Sequence, residues 1–250
     1  MMEILCVTIH KRYIPPYVIW PMLADVYRTR HDPNELWTID DITMPLDEVS
    51  AMLDSKTNFG AETDRFEISC GRSGCGFMLL YIMQKSPASP IAWEHWVAPF
   101  LGVPDFLCAT RYSNDYEARQ NIKSVHDLEN LGYPYDKSKV YHDPDFDRDY
   151  VDISSNPGRR EFRDGYIEEV GGTMWLGETF WRVTGANKDE VLAQDWIRSQ
   201  PLPFGALKIE VGDGLFDSAE GVQGEWQNRL RALLYPASRV DERNKTETSK

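Results

Sequence analysis

The chain is short of cysteine, of histidine, of long apolar runs and of positive charge, and each shortage excludes something. Its 250 residues hold four cysteines, Cys6, Cys70, Cys75 and Cys108. In a chain this long that does not make a disulfide framework, and it points to a reducing, cytoplasmic compartment. No second Cys or His pair at ligand spacing follows Cys70 and Cys75, so no zinc site is expected. The five histidines, His10, His31, His95, His126 and His142, are dispersed, with no H-E-x-x-H pair among them. The longest early apolar run, 4–9, stops at His10-Lys11-Arg12. That is too short for a membrane span or a signal-peptide core.

Bases are outnumbered, 27 Lys and Arg against 40 Asp and Glu, for a net charge of −13. The acids cluster. Residues 32–67 hold ten against two bases, a net of −8, and residues 143–169 hold nine against four arginines, a net of −5. Such a surface repels phosphate backbones, so no nucleic acid is expected as a direct partner. It would attract a basic protein, and nucleic-acid enzymes are commonly basic. The same surplus can also serve solubility alone.

The known catalytic patterns fail one by one. Gly71-Arg72-Ser73-Gly74-Cys75 has its second glycine one place early for a nucleophile elbow, and strands flank it. Gly71, Gly74 and Gly76 make neither a phosphate loop nor a dinucleotide loop, and turn chemistry accounts for them. Trp93-Glu94-His95-Trp96 declares no nucleophile, and its tryptophans read as packing residues. The run from His142 to Asp149 alternates aspartates, but a calcium loop starting at Asp143 would want glycine where Arg148 stands and glutamate where Ser154 stands. Three readings of this run stay open: a solvated loop, a docking loop for a protein, or a metal-assisted hydrolase using Asp143–Asp152.

Periodicity gives the elements. Strands are expected at 3–9, 36–42, 65–70, 76–83 and 206–211, and helices at 17–28, 46–53, 118–131 and 220–234. Val222, Trp226, Leu230 and Leu233 form the stripe of the last helix. Residues 86–90 read as a boundary loop, 132–160 as a polar surface excursion, and 237–250 as a disordered tail. The stretch 171–196 organises the rest. Met174 to Val183 alternates, with Trp175 and Trp181 on one face and Phe180 on the other, as in a central strand covered on both sides. Asn187 then caps a helix, with Glu190 placed for a capping box, and Val191, Leu192 and Trp196 form its stripe. The expected core tryptophans and phenylalanine are therefore Trp175, Trp181, Phe180, Trp196 and Trp226. The fold class is α+β: a mixed, mostly antiparallel sheet with flanking helices. The chain reads as a single domain over 1–236 with two loosely similar halves, 1–85 and 91–236.

Met174-Trp175-Leu176-Gly177, Phe180-Trp181, the helix after them, 205–211, Phe216 and Leu233-Leu234-Tyr235-Pro236 together resemble the C-terminal half of the immunity protein 52 family. The resemblance implies a bacterial antitoxin of a polymorphic or type VI secretion system, encoded beside its toxin. It would bind that toxin, usually a nuclease, in the cytoplasm, with no catalytic residue, no metal and no cofactor. Charge clustering agrees in sign with a basic, nuclease-type toxin as partner, and with no membrane or nucleic-acid partner. It nominates Asp143, Asp145, Asp147 and Asp149 as the docking loop, with Asp40 and Asp41 second. The alternatives are the metal-assisted hydrolase and a general, non-catalytic adaptor.

Overall fold

The computed structural model describes residues 2–32, 34–86 and 91–236. Most of the expected boundary loop, residues 87–90, and the whole tail 237–250 lie outside the described residues. In chain order the elements are β1 (Glu3–His10), α1 (Pro16–Arg30), β2 (Leu36–Ile39), β3 (Ile42–Pro45), α2 (Val49–Leu53), β4 (Phe59–Glu62), β5 (Phe66–Arg72), β6 (Phe77–Gln84) and α3 (Trp93–Val97). There follow β7 (Phe106–Ser113), α4 (Asn114–Asn121), α5 (Val125–Leu131), β8 (Val140–Asp143), β9 (Arg148–Val151), β10 (Glu161–Arg163), β11 (Tyr166–Glu168) and β12 (Thr173–Leu176). The chain continues through α6 (Glu178–Thr184), α7 (Lys188–Leu192), β13 (Ile197–Pro201), β14 (Leu207–Val211) and α8 (Gly221–Leu234).

Ten strands form one antiparallel sheet in the order β13-β14-β12-β7-β1-β6-β5-β4-β2-β3, so strands from both parts of the chain meet where β1 pairs with β7. The hairpins β8–β9 and β10–β11 are separate two-stranded sheets. The fold is α+β, as the mixture of apolar strands and amphipathic helices predicts.

Successive residues of a strand point to opposite faces, and here the two faces are covered at opposite ends of the sheet. Leu5, Val7 and Ile9 of β1 pack with Trp20, Leu23 and Tyr27 of α1, Leu53 of α2 and Trp96 of α3. Met174 and Leu176 of β12 and Ile209 of β14 pack instead with Phe180 of α6, Val191 of α7 and Leu230 of α8. Trp175, between Met174 and Leu176, belongs to the first cluster. The second face of β4, β5 and β6 carries no helix of either cluster.

The structure corrects the expected strand over 174–183. β12 ends at Leu176, and α6 begins at Glu178. The switch falls at Gly177, where an added Cβ would lie 2.3 Å from the carbonyl oxygen of Phe106 on β7. Only glycine allows that approach, and the chain turns away from the sheet there. Trp175 and Trp181 therefore do not share a core. Trp175 is 2% exposed in the first cluster, whereas Trp181 is half-buried against the second. Alternation and helical spacing coincide over so short a segment, because both place Leu176 and Phe180 on one side.

Other boundaries move for local reasons. Residues 36–42 form a hairpin, since Asp40 and Asp41 both adopt left-handed backbone, with φ of 49° and 64°. The helix expected over 118–131 is two helices, each with its own serine cap, Ser113 and Ser124. Asn187 does cap α7, accepting from the N–H groups of Asp189 and Glu190. The stripe expected for that helix holds only at Val191. Leu192 is 44% exposed, and Trp196 lies beyond the helix, half-buried with the Arg229 guanidinium 4.4 Å over its ring. On α8 the buried face is rotated from the apolar stripe. It carries Gln227, Leu230, Arg231 and Leu234, while Val222 is exposed and Trp226 and Leu233 are half-buried.

An imidazole packs against the first cluster. His31, just after α1, lies 4.9 Å from both Tyr27 and Phe66 and 6.1 Å from Trp96. Burial, and then the nearby Arg65, lower its pKa, and Glu35 opposes them. A lowered folded pKa means that the unfolded chain takes up the proton first. His31 thus contributes stability that is present above the free-histidine value, about 6.5, and lost as pH falls through it. Urea unfolding between about pH 8 and pH 5 should show a stability loss on the acid side that His31→Phe reduces. Superimposable pH profiles for the two proteins would contradict this.

Candidate functional site

The acidic run 143–169 divides in two in the folded chain. Its later glutamates are spent internally, while Asp164 stays exposed beside Lys11. Arg160 donates to Glu169 at 2.9 Å, to Glu117 at 3.1 Å and to the Tyr81 hydroxyl at 2.9 Å. Its guanidinium lies 5.4 Å from the centres of both the Tyr81 and the Tyr112 rings. Glu168 takes Arg231 of α8 at 2.9 Å and Arg163 at 3.1 Å. Glu161 takes Arg159 and Arg163, each at 2.6 Å. Glu168 and Glu169 are 1% and 0% exposed.

Burial opposes the charge of Arg160, but Glu169 and then Tyr112 more than offset it and hold its pKa above the usual arginine value. Burial, with Glu169 adding to it, pushes the Cys6 thiol up to about 12. All four cysteines are free, and Cys6, Cys70 and Cys108 are buried, so their reactive thiolate forms are suppressed. The junction binds the segment 158–169 to β1, β6 and α4. Sequence reasoning counted these residues as surface charge. The signal available was the matched pair Arg159-Arg160 against Glu168-Glu169.

The earlier carboxylates lie on a hairpin, where Asp145, Asp147 and Asp149 are exposed and Asp143 is half-buried. The polar excursion 132–160 contains β8 and β9, paired Tyr141 with Tyr150, His142 with Asp149 and Asp143 with Arg148. Asp143 accepts from the N–H of Asp145 at 2.9 Å, and Asp147 closes the turn with a left-handed φ of 49°. Aspartate tolerates that conformation better than most residues, which explains its use here. His142 stands between Asp147, at 3.6 Å, and Asp149, at 2.9 Å. Phe146 at the tip is 68% exposed, and the Asp147 side chain is 98% exposed.

The base of the hairpin is pinned to the body. Val151 N–H donates to the Lys123 carbonyl at 2.8 Å, Asp152 N–H donates to that of Lys139 at 2.9 Å, and Val151 is buried. The result is a fixed prong bearing Asp143, Asp145, Asp147 and Asp149 with one arginine, Arg148.

The geometry does not gather these acids around a common point. Asp143 is engaged by its own turn, Asp152 accepts from Ser154 N–H at 2.8 Å, and Asp147 and Asp149 flank His142. Among the described residues no group of three or more His, Cys, Asp or Glu side chains is placed to hold a metal ion.

Asp40 and Asp41 sit elsewhere, on the β2–β3 turn at the end of the large sheet, where Asp40 pairs with Lys56 and Asp41 is exposed. The structure puts the two nominated acidic groups on separate hairpins in separate sheets. Trp93 and Trp96 are buried, as packing residues should be, and Glu94 pairs with Lys208 at 2.6 Å. No helix among the described residues is long and apolar enough to cross a membrane.

No protein-family profile matches the chain. A search of curated proteins likewise finds no match. Among solved structures, the chain is similar to Pseudomonas aeruginosa T6SS protein PA0821. The TM-score is 0.48 and the identity 10%, over 94% of this chain and 73% of that one.

Proposed function

We propose that the chain is a non-catalytic immunity protein that binds a basic, nuclease-type toxin of a type VI or polymorphic secretion system in the cytoplasm and neutralises it. The observation that carries the reading is the β8–β9 prong: four aspartates against one arginine, around a 68% exposed Phe146, on a hairpin fixed at its base. A groove built for phosphates attracts such a prong over long range, and the carboxylates compete for the cations that would bind nucleic acid. Phe146 supplies the apolar anchor that charge alone lacks. The resemblance to the immunity protein 52 family points the same way. No cofactor, membrane or nucleic acid enters this reading.

The test is charge reversal. Asp145→Lys with Asp147→Lys alters two exposed side chains and leaves the buried junction untouched. Association with the toxin, followed by stopped-flow, should slow by about tenfold or more at low ionic strength, and the difference should shrink as salt rises. Association as fast as that of the unaltered protein would remove the prong from the account.

A further inference from the structure

On the second face of the sheet the segment 158–169 covers β6, where Phe162 stacks on Phe77 and Arg160 meets Tyr81, and β4 and β5 beside it stay open. Register places Gly60 opposite Ser69, Ser69 opposite Tyr81, and Gly71 opposite Leu79 on this face. Where the three small residues meet, the surface sinks into an open trough of about 530 Å³ walled by Tyr81, Leu79 and Phe162, with the Asp40–Lys56 pair and Arg72 also lining it. Neither Gly60 nor Gly71 has a positive φ, and a Cβ added at Gly60 would meet nothing within 4 Å. Turn geometry and internal packing therefore do not call for glycine there, and glycine inside a strand often marks the close approach of another group.

Two residues along the same strands, Glu62 and Glu67 stand directly opposite each other. Like charges so placed destabilise a strand pair. Lys85 reaches Glu62 at 2.9 Å, and among the described residues no cation lies within ion-pair distance of Glu67.

We propose that this face docks an extended basic segment of the protein partner. One apolar side chain enters the trough, and a lysine or arginine two residues away lies between Glu62 and Glu67. Alternate residues of an extended chain are about 6.6–6.8 Å apart, so a segment running along β5 brings both side chains into register with the two features. Residues 32–67, which build this end of the sheet, carry a net charge of −8, and that field draws a basic segment in before contact. The proposal rests on the reading that the chain works by holding a protein, and it adds a second contact surface to the prong.

The experiment uses the full chain, immobilised and panned with a phage-displayed library of random linear dodecapeptides. Enriched peptides should share an apolar residue followed, two positions on, by lysine or arginine. A synthetic peptide of the enriched sequence should bind at least about tenfold more weakly to Gly60→Trp, which fills open space in the trough, and to Glu67→Lys. Its affinity for the Asp145→Lys, Asp147→Lys protein should be unchanged.

Absence of enrichment, enrichment without that spacing, or equal binding to Gly60→Trp and Glu67→Lys would overturn the proposal. So would a dimer in sedimentation that Gly60→Trp dissociates, which would make a second copy the occupant. Failure of the toxin-neutralising reading shows separately, as absence of growth rescue with the peptide results intact.

Discussion

Arg160→Met is expected to lower folding stability by about 3–5 kcal/mol, the usual cost of leaving a buried charge without its partner. The methionine keeps most of the apolar stem, so the loss isolates the guanidinium. Glu169, fully buried, would lose its 2.9 Å ion pair, and its other oxygen already lacks a hydrogen-bond partner. Glu117 and the Tyr81 hydroxyl would lose donors at 3.1 Å and 2.9 Å. Against a total stability of about 5–15 kcal/mol, this is a large fraction. Removing both charges, as Arg160→Met with Glu169→Leu, should recover much of the loss, because an apolar pair of similar volume carries no desolvation penalty. Urea unfolding of the two variants beside the unaltered protein reads this directly. A loss below about 1 kcal/mol for Arg160→Met would show that the junction behaves like an exposed ion pair.

Trp175→Ala is expected to cost about 3–5 kcal/mol, the range for emptying a buried tryptophan site. Trp175 is 2% exposed within the first cluster, with the Lys208 ammonium 5.7 Å over its ring. Trp181→Ala should cost less, about 1–2 kcal/mol, since that ring is half-buried on α6 against the opposite face. The contrast is the test. A single strand through 174–183 puts both rings in one core and predicts similar losses. The strand that ends at Leu176 predicts an unequal pair, and equal losses by thermal or urea unfolding would contradict it.

How far the fold was legible depended on where local pattern and tertiary demand agreed. They agree in β1, α1, β5, β6 and the Asn187 cap, where apolar period, proline position and capping chemistry all point one way. They conflict at Gly177. The helical and extended readings of the following residues share Leu176 and Phe180, and only the close approach to Phe106 decides between them. On α8 the apolar stripe misleads because Gln227 and Arg231 are buried by specific partners, the Tyr116 hydroxyl at 2.9 Å and Glu168 at 2.9 Å. No periodicity carries such information.

The candidate site shows the same limit. The sequence places the four aspartates of the prong close together, and the hairpin keeps them together. The sequence cannot say that Glu161, Glu168 and Glu169 in the same acidic run face inward to Arg159, Arg160, Arg163 and Arg231, because that pairing forms only when the segment crosses the sheet.

The most direct test of the central claim is co-expression in a susceptible bacterium. Any toxin found encoded beside this chain would be produced with and without it, and growth and DNA integrity followed while the pair is purified. The account predicts restored growth, intact DNA and a stoichiometric complex of the two proteins. Undiminished killing with both proteins folded and abundant would contradict it.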